Sequence, residues 1–281
     1  MLREGHTRDP PPTCPMDQTF PSPASPPPAQ RFAFGHRLRA AGIHLGLSAV
    51  IAALAAALVF GLWYPTPFRE ISGGRELFFI VVAVDVVLGP LITFAVFDRR
   101  KPWRELRRDL AIVGVIQMAG LLYGLHTVYV ARPAVMVLEV DRLRVLTAVD
   151  LDASSLAKAP PEFRELPWHG THVLAARRAT DAERLESIEK AMAGVDIGQR
   201  PEFWLPASET KAALLQSAKP LSELRKRHVD RSAELQKYIE ATGRTDEQLK
   251  FLPLFARRTD WVALLDAGSG ELVGYAPFDG F

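Results

Sequence analysis

Three long apolar segments limit what this chain can fold into. They run over residues 42–64, 77–97 and 110–130, and the only Lys, Arg, Asp or Glu within them is Asp85. A helix rises about 1.5 Å per residue, so each segment can cross a hydrocarbon layer of roughly 30 Å. Buried helices of a soluble bundle would need a polar stripe on the outermost helix, and no segment has one. The sequence therefore predicts a membrane protein, with three transmembrane α-helices in the region 36–131.

The chain before the first apolar segment has a different composition. Nine of the first thirty residues are proline, with few large apolar side chains among them. Such a segment cannot bury enough surface to offset its ordering entropy, so residues 1–35 are predicted to be a disordered tail. The whole chain has 34 basic and 32 acidic residues, a balance that excludes nucleic-acid binding through bulk charge. The single cysteine, Cys14, excludes disulfides and Cys-rich metal sites.

The loops between the apolar segments predict the orientation of the chain in a membrane. The loop 98–109 holds six basic residues, whereas the loop 65–76 holds only Arg69 and Arg75. Because cytoplasmic loops are enriched in Lys and Arg, the tail and loop 98–109 are predicted to be cytoplasmic in a bacterial inner membrane. Residues 132–281 would then form a periplasmic domain. The predicted topology determinants are Arg99, Arg100, Lys101, Arg104, Arg107 and Arg108.

The region after the third apolar segment mixes strand and helix patterns. β-Branched apolar runs on either side of turn residues predict a hairpin or a long bent strand at the start of this region and a hairpin at its end. Helical periodicity appears between them, after an irregular stretch that contains several prolines. The combination predicts a small α+β domain. A hairpin or a long bent strand is predicted over 135–149, a hairpin over 261–275, and helices over 180–193, 208–218 and 221–241.

Asp85 is the acidic residue within the second segment. It lies eight residues, roughly 12 Å, from the predicted outer surface, where an ionised carboxylate is costly unless it is paired. Tyr123 in the antiparallel third segment lies at about the same depth, so a Tyr123–Asp85 hydrogen bond is predicted as a structural clasp. A clasp to the helix of another protein and a proton or ligand site are the alternatives.

Small residues recur at helical spacing within the apolar segments. They allow close approach of helix backbones in lipid, where van der Waals contact drives association. In the second segment, Pro90 lacks a backbone N–H and is predicted to kink the helix. Such faces either pack the three helices against one another or receive a transmembrane helix of a partner protein. The residues assigned to partner binding in this hypothesis are Ala49, Ala53, Ala57, Gly61, Asp85, Gly89 and Pro90.

Patterns typical of catalysis or metal binding are weak in this sequence. His169 and His172 have H-x-x-H spacing, but they lie in a Pro-containing loop rather than on a helix. Gly268-Ser269-Gly270 lacks the lysine of a phosphate-binding loop. Neither a carboxylate pair nor a nucleophile with its base is found. The chain is therefore predicted not to be an enzyme and to use no metal or cofactor.

Six strings of residues carry a resemblance to a known family. They are Trp63–Phe68, Ser72–Phe78, Asp85–Leu91, Arg99–Asp109, Tyr123–Thr127 and Glu139–Leu143. The strings resemble the TfpX/TfpZ family of type IV pilin accessory proteins, and the likeness extends from about residue 37 to the terminal hairpin. The resemblance implies an inner-membrane protein that supports the stability or assembly of its cognate type IV major pilin. The pilus assembly machinery and membrane lipid would be further partners.

Two other classes of protein remain open. A sensor would bind a ligand with the periplasmic domain, yet the cytoplasmic side offers only the tail and a loop of 12 residues to transmit a signal. A membrane-embedded enzyme or transporter component would need reactive groups within the membrane, and Asp85 and His126 make a poor set. A non-catalytic accessory role is therefore the function that the sequence predicts.

Overall fold

The computed structural model describes residues 30–257 and 260–281, in which three long helices precede a domain of helices and strands. This order confirms the predicted succession of three apolar helices and an α+β domain. Positions 1–29 of the tail predicted for residues 1–35 lie outside the described residues. The first helix begins at Gln30. Among the described residues, three helical segments are long and apolar enough to cross a membrane: Phe34–Trp63, Gly74–Val96 and Trp103–Val130.

The described elements have the following bounds. The helices are α1 (Gln30–Leu58), α2 (Phe68–Ile71), α3 (Gly74–Val96), α4 (Trp103–Val130), α5 (Arg184–Met192), α6 (Ala207–Ser217), α7 (Leu221–Arg227) and α8 (Ser232–Ala241). The strands are β1 (Pro133–Glu139), β2 (Arg142–Thr147), β3 (His172–Ala175), β4 (Lys219–Pro220), β5 (Leu249–Phe255), β6 (Trp261–Asp266) and β7 (Leu272–Ala276). Helix α1 continues into a π-helical turn, Val59–Trp63.

Helix α3 packs against both α1 and α4. We call the end of these helices next to the sheet the domain end, and the opposite end, beside residues 97–102, the loop end. At the domain end, the Trp63 ring lies 5.0 Å from the Tyr129 ring, and Tyr64 Oη donates to the Val128 carbonyl at 3.1 Å. The π-helical turn therefore joins α1 to α4 at this end.

Two glycines let α3 and α4 approach closely. A Cβ at Gly124 would lie 2.3 Å from a methyl group of Val81, and a Cβ at Gly89 would lie 1.9 Å from Gln117 Nε2. Both distances are far below van der Waals contact, so only glycine fits without a shift of these neighbours. Gly124 of the third apolar segment is thus used for packing of α4 against α3.

The strands form one mixed sheet in the order β3-β1-β2-β5-β6-β7, with β4 paired to β5. The β1–β3 and β2–β5 pairs are parallel, whereas β1–β2, β5–β6 and β6–β7 are antiparallel. Alternate side chains enter different cores: Leu252 and Leu254 pack on the side of α6, and Leu249 and Phe251 pack on the side of α7 and α8. Burial of both faces explains the nearly continuous apolar composition of these strands.

The connection between the first two long helices is part of the sheet domain. Its short helix α2 buries Phe68 and Ile71 in the core that covers one face of the sheet, and the Phe68 ring lies 6.1 Å from the ring of Tyr275. Ile71 is completely buried. Residues 132–281 therefore do not hold this core alone, because the loop 65–76 supplies part of it.

Candidate partner-binding site

The small-residue face of α1 is open in the structure. Internal packing of α1 uses a neighbouring face, on which Ala55, Val59 and Trp63 are buried. A Cβ at Gly61 would meet nothing within 4 Å, so this end of the face has free space beside it. The exposed members of the face are Ala49, Ala53, Ala57 and Gly61. Another helix could approach here without displacing α3 or α4.

A cavity of about 150 Å³ lies between α1 and α4, with α3 as its floor. Its lining is mostly apolar, as with Ile51, Val86 and Met118. The polar side chains on its lining are His44, Ser48, Asp85 and Gln117. The cavity lies midway along the helices, since Asp85 is eleven residues from the first residue of α3. It is an apolar recess with a carboxylate at its floor.

The carboxylate of Asp85 receives no hydrogen bond or ion pair from the residues that the structure describes. The nearest helix contact uses the backbone instead: Gln117 Nε2 donates to the Asp85 carbonyl oxygen at 3.0 Å. The α4 backbone passes close to the carboxylate at Gly120, where an added Cβ would lie 3.7 Å from Asp85 Oδ1. The carboxylate is thus left to interact with whatever enters the cavity.

The predicted Tyr123–Asp85 hydrogen bond is not formed between these described residues. Tyr123 is 75% exposed, while its neighbour Gly124 is buried against α3. Successive side chains on a helix differ by about 100° in direction, so the residue beside a buried glycine points away from the partner helix. Gln117, which the sequence analysis did not single out, makes the polar α3–α4 contact.

Gly89 and Pro90 are buried and do not form an open surface. Helix α3 runs without interruption from Gly74 to Val96 through Pro90, and Gln117 occupies the space beside Gly89. A partner helix could not touch these two residues directly while α4 is in place. Open space beside this part of α3 is found at the Asp85 cavity instead.

The sequence analysis did not use the polar residues of the first apolar segment, although they indicate where the cavity lies. His44 hydrogen bonds through Nδ1 with Thr93 Oγ1, and Thr93 is buried. Ser48 lies one turn further along α1 on the same cavity wall. Polar side chains four residues apart in an apolar helix indicate a shared polar face. This pattern could have predicted that α1 turns a polar face toward the second segment.

The basic residues of loop 98–109 surround the loop end of the helices. Arg37 forms an ion pair with Asp98 at 3.1 Å, and Lys101 forms one with Asp109 at 2.7 Å. The backbone N–H of Arg100 donates to Asp98, and this hydrogen bond lowers the pKa of that carboxyl together with Arg37. The exposed members of the predicted topology set are Arg99, Arg100, Arg104, Arg107 and Arg108.

A second polar cluster lies at the β1–β2 turn of the sheet domain. The buried Glu139 carboxylate accepts a hydrogen bond from the Gly198 N–H at 3.0 Å and lies 3.6 Å from Arg144. Burial raises the pKa of Glu139, while the Arg144 charge and the Gly198 N–H oppose the shift. The next residue, Val140, has a φ of 56°, a left-handed conformation that is strained for a β-branched residue. The cluster anchors this turn to residues 196–199.

Metal-binding groups are not assembled in the part of the chain that the structure describes. No group of three or more His, Cys, Asp and Glu side chains is close enough there to hold an ion. Of the H-x-x-H pair, His172 lies on β3, 5.5 Å from the ring of Phe163, and burial lowers the pKa of its imidazole. His172 therefore packs against Phe163 as part of the sheet domain.

Comparison with known proteins relates the chain to fimbrial assembly. The family model described as fimbrial assembly protein FimB matches residues 32–73, which include α1 from its third residue, the π-helical turn and α2. The fimbrial assembly protein of serogroup I from Dichelobacter nodosus is 38% identical over 240 residues, covering 84% of this chain and 93% of the relative. No solved structure matches the chain.

Other relatives from the same organism agree with this assignment. The fimbrial assembly protein of serogroup E1 is 37% identical over 240 residues, again covering 84% of this chain and 93% of the relative. That of serogroups C1 and C2 is 38% identical over 130 residues, which cover 46% of this chain and 98% of the relative. The two 240-residue matches cover 84% of this chain, so they include residues of both the long helices and the sheet domain, and the chain belongs to the fimbrial assembly protein (FimB) family.

Proposed function

We propose that this protein is a non-catalytic accessory protein of the bacterial inner membrane that supports the stability or assembly of a cognate type IV major pilin. The relatives named as fimbrial assembly proteins support a role in fimbrial biogenesis. The TfpX/TfpZ resemblance supports the more specific role toward a pilin. The α1, α3 and α4 helices span the membrane in this proposal, and the sheet domain is periplasmic.

The observation that carries the proposal is the open small-residue face of α1. It lies within residues 32–73, the segment matched by the fimbrial assembly family model. Its members Ala53 and Ala57 are exposed, and the bundle packs without them. A pilin in the inner membrane has one transmembrane helix and a periplasmic head. A helper protein would therefore need a face for a helix and a domain beside the head, and this chain has both.

The proposed topology can be tested with alkaline phosphatase fusions. A fusion after Ala131 is expected to be active, because the enzyme would be exported with the sheet domain. A fusion after Lys101 is expected to be inactive, because basic residues concentrate at the loop end and would keep it in the cytoplasm. Enzyme activity is measured per amount of fusion protein. The reverse pattern would contradict the orientation and the periplasmic location of the sheet domain.

Asp85 is proposed to form a hydrogen-bonding clasp with the bound helix. Its carboxylate lies on the cavity between α1 and α4 and has no partner among the described side chains. The α1 wall of this cavity and the small-residue face are neighbouring surfaces of one helix. A helix held on α1 could therefore present a donor group to the carboxylate.

Two substitutions at Asp85 distinguish a clasp from a titrating site. Asp85→Asn keeps a polar group of the same shape and is expected to retain most pilin accumulation. Asp85→Leu is expected to weaken pilin association by about 3-fold to 30-fold, the range for intramembrane hydrogen bonds. Pilin co-purification and the level of the variant itself are measured together. Equal losses for Asn and Leu would show that the charge or the proton of Asp85 is needed.

The direct test of the proposal is site-specific photo-crosslinking in living cells. Crosslinkers at Ala53 and Ala57 are expected to capture the major pilin, because both positions are exposed on the open face. A crosslinker at Ala111, which is exposed on α4, is the matched control and is expected to capture lipid or nothing. Capture of pilin at neither position of α1 would contradict helix recognition on this face.

A further inference from the structure

A second concave surface lies at the loop end of the long helices. A cavity of about 650 Å³ is formed there by residues 36–43 of α1, Phe97 just after α3, the connecting loop and the first turns of α4. Its rim carries Arg39, Arg99 and Lys101, and His36 lies beside them. Residues 36–39 and 98–109 together hold eight basic and three acidic side chains, so the cavity opens in a strongly positive surface.

Two of the guanidinium groups on this rim are not neutralised by a carboxylate. Lys101 is paired with Asp109, and Arg37 just outside the cavity is paired with Asp98. Arg99 Nη1 contacts only the imidazole of His36, at 3.4 Å, within the described residues. Arg39 forms no hydrogen bond or ion pair with any described residue. The cavity therefore holds two arginines available for an external anion, and arginine binds phosphate oxygens with its paired N–H donors.

The wall of the cavity changes from charged to apolar along the helix axis. Ile43 lies one turn beyond Arg39 on α1, and Leu106 and Leu110 face it from α4. Trp103 lines the same cavity and is 67% exposed. Tryptophan is typical of the boundary between headgroups and hydrocarbon. The cavity thus matches an amphiphile whose anionic end contacts the rim and whose apolar part lies on the helices.

We infer that this cavity binds one anionic phospholipid of the cytoplasmic leaflet. Arg39 and Arg99 bind its phosphate, and the first carbons of its acyl chains lie on Ile43 and Leu110. Basic pockets between transmembrane helices on the cytoplasmic side are suited to such headgroups, and a zwitterionic lipid would bring its own cation toward the arginines. The inference relies on the membrane-spanning arrangement proposed above but not on pilin binding.

The test compares lipid binding by two variants with equal charge. The full-length protein is purified in detergent, mixed with phosphatidylglycerol or with phosphatidylcholine of the same acyl chains, and examined by native mass spectrometry. Arg39→Gln with Arg99→Gln removes the two cavity arginines. Arg104→Gln with Arg108→Gln is the matched control, because both residues are exposed on the same surface but do not line the cavity.

The unchanged protein is expected to retain one phosphatidylglycerol and to discriminate against phosphatidylcholine. The cavity variant is expected to bind phosphatidylglycerol about 10-fold to 30-fold more weakly, because it has lost two cations near the lipid. The control variant is expected to bind phosphatidylglycerol about as well as the unchanged protein. If the double variant does not fold, Arg39→Gln alone is used, since this side chain has no described partner to lose. Equal losses in cavity and control variants, or equal retention of the two lipids, would overturn the inference. Pilin capture at Ala53 is measured separately, so failure of lipid binding and failure of the proposed function are distinguishable.

Discussion

Cells that carry Ala53→Leu and Ala57→Leu in place of the original protein are expected to show about a 10-fold decrease in surface pili. Each leucine would stand on the open face of α1 and hold a foreign helix several ångströms further away. Close backbone contact drives association in lipid, and a loss of about 1.4 kcal/mol corresponds to 10-fold weaker binding. Pilin level, surface pili and the level of this protein are measured in the same cells.

The structure makes the expected result specific to pilin binding. Because Ala53 and Ala57 are exposed, leucine at these positions does not disturb the contacts of α1 with α3, and the variant is expected to accumulate normally. Ala111→Leu with Ala119→Leu is the matched control, since both alanines are exposed on α4. The control is expected to support full piliation. Full piliation with leucine at Ala53 and Ala57 would instead assign recognition to the sheet domain.

The three long helices could be predicted because length and apolar composition alone define them. The direction in which each side chain points around its helix could not be predicted in this way. Asp85 and Tyr123 have comparable depth, but depth does not give the rotation of α4 about its axis. That rotation is set by Gly124, which fits against Val81 and turns Tyr123 outward. In the same way, the sequence predicts a small-residue face on α1 but cannot tell whether it faces α3 or open space.

The hairpins of the sheet domain were predicted, with a long bent strand as the alternative for the first, whereas three of its strands, β3, β4 and β5, were missed. Both confirmed hairpins, β1–β2 and β6–β7, join strands that are adjacent in sequence. Strand β3 has only four residues and pairs in parallel with β1, so no local turn marks it. Strand β5 contains Pro253, which reduces the strand signal although β4, β2 and β6 all pair with this strand.

The helix predicted over 221–241 is divided in the structure. Helix α7 ends at Arg227, and α8 begins at Ser232. At the break, His228 Nε2 hydrogen bonds with the Asp279 carbonyl at 2.8 Å, and Arg227 Nη1 donates to the Gly280 carbonyl at 3.0 Å. These contacts are with the end of the chain, about fifty residues away in sequence, so helical periodicity within 221–241 carries no sign of them.

Ile71→Ala is expected to reduce the free energy of unfolding of the sheet domain by about 2–5 kcal/mol, the usual cost of removing a buried isoleucine side chain. Ile71 is fully buried beside Phe68 in the core on one face of the sheet, although it belongs to the connection between α1 and α3. Ile71→Val removes one methylene and is expected to cost about 0.5–1.5 kcal/mol. Thermal unfolding of the full-length protein in detergent gives the order of these effects.

The matched control for this prediction is Arg69→Ala on the same short helix. Arg69 is exposed, so its truncation is expected to change the free energy of unfolding by less than about 0.5 kcal/mol. If Ile71→Ala is as stable as Arg69→Ala, α2 does not contribute to the core, and the sheet domain folds from residues 132–281 alone. If the expected order is found, the sheet domain depends on the chain between the first two long helices. Ile71 would then tie α1 to the sheet, because α2 follows the π-helical turn after only four residues.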